Sequence, residues 1–301
     1  MKKVLIALTL AVAGVASAQV TISGKIGQYF DNSKTGTADA AGTIGAEATN
    51  NIAFKSVEDL GGGLKANVVV ETRLRTSDPT AADSQIGDRQ STVGLSSKLG
   101  SIDLGRKTHS VFGTLANIDV FNAFYGSINS DIHNQRALRF SNGVFTQVNP
   151  MQNVAVSFER QQTAAAGAGE AFGYAVNAAL SGVTLSAAHY ELGTAKSDVV
   201  GVGTNVMGVK LGLLYSEDVT NTVTTKGTSL GAAYNVRGPV TVKASYGSQT
   251  GAVAGDIRAY NAGFDYAFSK RTVAQVIYRH VDNPNTSTDV RQFAVGMVHR
   301  F

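Results

Sequence analysis

No cysteine occurs among the 301 residues, which excludes structural disulfides, thiolate zinc sites and redox-active thiols. Cohesion has to come from packing and hydrogen bonding. Tryptophan is absent as well, and proline is limited to four residues. Long apolar runs are equally scarce. The run from Val4 to Val15 is too short for a membrane-spanning helix, which needs about 20 residues, and nothing comparable follows it. No helical anchor is expected. Lys2 and Lys3 precede that run and Ala16-Ser17-Ala18 follows it, the order of a secretory signal with its cleavage site. Residues 1–18 are accordingly expected to be removed, leaving 19–301 as a single domain with no linker-like stretch.

Several kinds of chemistry lack their signatures. Without Lys2 and Lys3, the 26 basic residues become 24 against 22 acidic, so no nucleic-acid partner is implied. The five histidines, His109, His133, His189, His280 and His299, do not have metal-ligand spacing. Gly201 and Gly203 do not complete a dinucleotide fingerprint, and valine follows Gly208 where a phosphate loop needs lysine. Ser229 stands in a Gly-x-Ser-x-Gly sequence, Gly227 to Gly231, but inside the alternating segment 226–236, where a nucleophile elbow needs a turn from strand to helix. No metal, cofactor or enzymatic activity is expected.

What the chain does have is alternation. Segments of about ten residues, apolar and polar by turns, recur from Gln19 to Phe301 and are bounded by Gly, Asn, Asp or Ser. In Val20 to Phe30 one face carries Val20, Ile22, Ile26 and Phe30, the other Thr21, Ser23, Lys25 and Tyr29. In Leu64 to Arg75 the charged Glu71, Arg73 and Arg75 collect on one face. The last segment sets Phe293, Val295, Met297 and Phe301 against Gln292, Ala294 and Arg300. Roughly sixteen strands are expected, among them 132–141, 198–206 and 207–217, with fourteen or eighteen fitting the same pattern. The boundary near Met207 is the weakest of these. Tight connections at Gly61-Gly62-Gly63, Leu99-Gly100-Ser101, Ser181-Gly182 and Arg237-Gly238-Pro239 suit hairpin turns. A soluble antiparallel sandwich alternates too, and alternation does not say which face is outside. The signal segment, the uniform length of the pattern and the terminal Phe301 favour an all-β transmembrane antiparallel barrel.

The blocks VTISGKIGQYF, NIAFKSVEDLGGGLKANVVVET, RQSTVGLSSKLGSIDLGRKT, RALRFSNGVF, YAFSKRTVAQVIYRH and AVGMVHRF resemble the trimeric general porins of Gram-negative bacteria, especially the neisserial and comamonad group. The resemblance covers nearly all of residues 19–301. It implies a sixteen-stranded barrel in the outer membrane, assembled as a homotrimer, with the third extracellular loop folded into the pore. Here that loop is Thr108 to Asp131, the longest connection in the strand reading, and its apolar residues Val111, Phe112, Leu115, Ile118, Val120, Phe121, Phe124, Tyr125 and Ile128 suit packing on an inner wall. The resemblance further implies a field across the constriction, basic on the wall and acidic on the loop. Lys55, Arg89 and Arg139 match basic wall positions of the family, whereas Asn51 stands where the family commonly has arginine.

The charges point the same way. Lys25, Lys55, Arg73, Arg75, Arg89, Arg106, Arg136 and Arg139 fall in the first six expected strands, Glu71 is the main acid there, and the loop offers only Asp119 and Asp131. A charge ring at a narrow opening sets ion selectivity, because the potential is focused between low-dielectric walls. The expectation is a passive, weakly anion-preferring channel for small hydrophilic solutes and ions, surrounded by outer-membrane lipids. A substrate-selective channel and a structural or adhesive barrel are the competing functions.

Overall fold

The computed structural model describes residues 19–36, 38–39, 42–47, 49–77, 85–122, 125–133, 139–162, 170–251, 255–283 and 289–301. The expected signal segment lies outside them. Strand β1 spans Gln19–Thr35, followed by the short β2 (Ala38–Asp39) and β3 (Thr43–Ala46), then β4 (Asn51–Gly61), β5 (Leu64–Arg73), β6 (Gln90–Ser97) and β7 (Gly100–Thr108). Helices α1 (Ser110–Ile118) and α2 (Asn129–Ile132) come next. The chain continues with β8 (Arg139–Met151), β9 (Val154–Gln161), β10 (Ala171–Leu180), β11 (Val183–Leu192), β12 (Ala195–Val206) and β13 (Val209–Thr220). It ends with β14 (Val223–Arg237), β15 (Val240–Thr250), β16 (Ile257–Ala267), β17 (Thr272–Asp282) and β18 (Val290–Arg300).

Long strands pair antiparallel with their sequence neighbours, and β18 returns to β1 in register from Lys25↔Arg300 to Thr35↔Val290, closing the sheet. Because β2 and β3 only fold back on the upper half of β1, the closed wall has sixteen staves. The expected strand number is borne out. Two-residue turns join many of the hairpins. At Ser181-Gly182 and Met207-Gly208 both residues have positive φ (50° and 84°, 53° and 84°), the I′ pattern whose twist matches that of the flanking strands. The weak boundary at Met207 is thus a hairpin turn.

One expected strand is misplaced. The strand expected at 132–141 is shifted along the chain: Ile132 ends α2, residues 134–138 lie outside the described ones, and β8 runs from Arg139 to Met151. Ile128 and Ile132 lie four apart, a helical spacing, and pack together on Ala259 and Val281. Pro150 falls at the ladder irregularity between Val148 and Met151, where a strand tolerates a missing N–H.

The two faces of the wall answer the question that alternation left open. On β1, Val20 and Ile22 are 64% and 56% exposed, whereas Lys25 and Tyr29 on the other face are buried. Phe54, Val68, Val93, Leu104, Phe158, Val200, Leu213, Phe264, Val295 and Met297 continue the exposed apolar belt around the barrel. A soluble sandwich buries that face; a barrel in lipid displays it. The core lies instead inside the wall, where Val111, Leu115 and Ile118 of α1 pack with Phe140, Ala175, Ala188, Tyr190, Val199 and Leu214.

Candidate pore constriction

The segment after β7 turns inward because its own sequence makes a short amphipathic helix. Val111, Leu115 and Ile118 recur at helical spacing and are all buried. His109 caps α1, its Nδ1 accepting from Phe112 N at 3.4 Å, and Glu159 on β9 accepts from Ser110 N at 2.8 Å and Ser110 Oγ at 3.1 Å. Asp119 ends the helix and ties down the turn after it: Phe121 N donates to its Oδ1 at 2.9 Å and Ser127 Oγ to its Oδ2 at 2.7 Å. The loop expected over Thr108 to Asp131 thus carries α1 and the start of α2.

The wall beneath this segment is paved with glycine. On β12, Val200 and Val202 face outward and Gly201 and Gly203 face in, toward Ile118. A methyl group at Gly212 of β13 would stand 2.3 Å from Ile118 O, and one at Gly231 of β14 would stand 2.7 Å from Val120 Cγ2. Gly263 of β16 gives Phe121 its place, and Gly247 of β15 gives Ile132 its place. The segment therefore lies in a groove across β12 to β16, inside the barrel. At its middle, Tyr125 stacks on Tyr29 with ring centroids 4.0 Å apart, its backbone N–H donates to Glu47 Oε2 at 3.0 Å, and its hydroxyl bonds Asp31. Burial, and next the hydrogen bond to Asp31, push the Tyr125 phenol well above its ordinary range, so it acts as a neutral donor.

Against the opposite wall a cavity of about 450 Å³ remains. Lys25, Lys55, Glu71, Arg89 and Arg300 line it from the barrel, and Phe112, Ala116 and Asn122 from the infolded segment. Glu71 Oε1 accepts from Arg89 Nε at 2.5 Å and from Asn51 Nδ2 at 2.7 Å, so Asn51 holds the carboxylate in place. Arg73 N donates to Asp88 Oδ1 at 2.7 Å, and Arg106 Nε donates to Asp88 O at 2.7 Å. The guanidinium of Arg139 sits in the field of Arg89, Arg106 and Arg73, with Glu71 the acid that opposes them. Arg75 lies just after β5, and Arg136 lies outside the described residues.

Lys55, Glu71 and Arg89 are thus brought together at one opening, with Arg73, Arg106 and Arg139 clustered beside them. Asp119 and Asp131 do not join them. Asp119 is bound into its own turn, and Asp131 pairs with Arg279 of β17, whose Nε donates to Asp131 Oδ2 at 3.1 Å. The loop side of the cavity carries no acid among the described residues, so these two carboxylates do not form the acidic half of the expected transverse field. Sequence reasoning missed Arg279, Asp31 and Glu47. Asp31 shares the parity of Lys25 and Tyr29 on β1, and that was the signal available for it.

A closed antiparallel barrel with an apolar outer wall and a chain segment seated in its lumen defines a transmembrane β-barrel of the pore-forming kind. The Gram-negative porin family model matches residues 4–286, and the chain belongs to that family, whose members are channels rather than enzymes. The protein is accordingly one of the bacterial outer membrane. Among relatives, it is 38% identical to outer membrane porin protein 32 of Delftia acidovorans over 130 residues, covering 41% of this chain and 36% of that one. It is 40% identical to major outer membrane protein P.IB of Neisseria meningitidis serogroup B over 114 residues, covering 35% and 34%. The matched segments span about a third of those relatives. The anion-selective porin from Comamonas acidovorans superposes with a TM-score of 0.80 at 21% identity, over 94% of this chain and all of that one. OmpF of Salmonella typhi superposes with a TM-score of 0.76 at 18% identity, over 94% and 98%.

Proposed function

We propose that the protein is a passive water-filled channel for small hydrophilic solutes and ions, working as a homotrimer, and that its opening prefers anions weakly. The observation that carries this reading is the cavity between the infolded segment and the wall, lined by four basic side chains, Lys25, Lys55, Arg89 and Arg300, and one acid, Glu71. An ion there keeps only part of its hydration, and the charges of the lining replace the rest. The similarity to an anion-selective porin supports the sign. Arg73, Arg106 and Arg139 extend the basic surface along the same wall, while Glu71 limits the preference by partly neutralising Arg89.

Reversal potentials across a planar bilayer in a salt gradient test this directly, and a cation-selective value refutes it. Glu71→Gln removes the acid and keeps a side chain of the same shape beside Asn51. The variant is expected to be more anion-selective than the wild type; an unchanged reversal potential would remove Glu71 from the opening. Liposome swelling with solutes of graded size separates a diffusion channel, where rate falls smoothly with size, from a substrate-selective one, where it saturates.

A further inference from the structure

The infolded segment is fastened at both ends by buried histidines, and the two fastenings differ. At the far end the ring of His133 is 1% exposed, with Nδ1 2.8 Å from Ser216 Oγ of β13 and Nε2 2.9 Å from Ser229 Oγ of β14. Below it lies Gly227, where an added methyl group would stand 2.4 Å from Ile132 O and 2.8 Å from His133 Nδ1. Gln249 of β15 donates to Ile132 O at 2.8 Å, and Ser229 Oγ also reaches Asn129 Oδ1 at 3.3 Å.

The two groups bonded to the His133 ring, Ser216 and Ser229, carry no charge. From β13 the inward neighbour is Asp218, which accepts from Ser197 Oγ. From β14 come Ser229 and the bare Gly227, and from β15 comes Gln249. On the segment itself, Asp131 is paired with Arg279 of β17. Among the described residues no carboxylate bonds the imidazole. At the near end, by contrast, Glu159 of β9 holds the residue after His109, accepting from the Ser110 N–H and hydroxyl, and α1 adds the larger apolar contact through Val111, Leu115 and Ile118.

We propose that the far end is an acid-sensitive latch: protonation of His133 releases residues 129–133 from β13 and β14 while α1 stays docked. Burial lowers the imidazole from its ordinary 6.5 to about 4, in keeping with that geometry. Between those values the released segment binds a proton that the docked segment excludes. Docking is therefore at full strength above pH 6.5, weakens as pH falls and levels off below about 4. Each pH unit in that window shifts the balance toward release by up to about tenfold.

Because the chain has no cysteine, single nitroxide labels report on the two ends separately. Ser130→Cys and Asn117→Cys place exposed labels beside the latch and on α1. In vesicle-reconstituted protein taken from pH 7.5 to 4.5, the mobile spectral component at position 130 is expected to grow on the order of tenfold or more, with position 117 unchanged. His133→Gln, or His133→Asn if the former fails to assemble, is expected to abolish the pH dependence at position 130. A flat titration at position 130 in the otherwise native protein overturns the proposal without any His133 variant. So does simultaneous mobilisation of both labels, or an unchanged acid response in the variant. The consequence for flow rests on the channel reading given above, but label mobility reads docking whether or not ions pass.

Discussion

Replacing Lys55 and Arg89 together by glutamate is expected to reverse the ion selectivity. The cavity lining then changes from four basic residues and one acid to two basic residues and three acids, with the barrel otherwise intact. Lys55 lines an open cavity, and Arg89 has Glu71 as its ion-pair partner, so the substitutions add no buried bulk. Because the opening is flanked by low-dielectric walls, the permeability ratio of anions to cations is expected to fall on the order of tenfold or more, and to recover partly at high salt as screening shortens. Reversal potentials at two ionic strengths check both statements. A double variant that still prefers anions would mean that the selective step lies elsewhere, for example at the Arg73, Arg106 and Arg139 cluster.

Filling the glycine groove is expected to have the second large effect. Gly212→Val with Gly231→Val puts side chains where Ile118 and Val120 now lie, and Ile118 O, a backbone atom 2.3 Å from the new Cβ, has no rotamer by which to give way. Either the segment leaves the wall or the wall distorts. Overpacking of this kind costs about 1–3 kcal/mol per site, less than a sixteen-staved hydrogen-bonded wall can absorb, so the segment is the part that moves. Single-channel conductance is expected to change with the thermal stability of the barrel nearly preserved, and smaller effects are expected when alanine replaces valine. Unchanged conductance in a folded double variant would show that the segment does not set the narrowest point.

These two experiments separate what alternation made visible from what it did not. The staves and the separation of Lys25, Glu71 and Arg73 from the apolar face follow a period of two, which each strand writes locally, whereas the outward direction of the apolar face does not. The inward course of Ser110 to His133 is written in two places at once. Its apolar residues are legible in the segment, but its bed is a set of glycines dispersed over five strands, each of which looks locally like a weak strand position. The partner of Asp131 is Arg279, 148 residues away, and no local spacing connects them. Asn51 was legible only as a departure from a family pattern; its role as a donor to Glu71 needed the register of β4 on β5.

The seam between β1 and β18 carries a consequence for how the chain reaches this state. Most consecutive strands meet through short turns, so much of the wall assembles from contacts of small sequence separation, whereas Lys25↔Arg300 joins residues from opposite ends of the chain. Contacts of that kind bear the greatest loop-closure entropy and form late. Until they do, β1 and β18 each present an open edge of unpaired amides, and such an edge pairs readily with a second chain. The backbone groups of Gly24 and Phe301, which exchange hydrogen bonds of 3.0 Å in both directions, fasten one end of that zipper. Weakening this clasp is expected to lengthen the lifetime of the open sheet, and its cost would appear as misassembly during refolding long before it appeared as a loss of conductance.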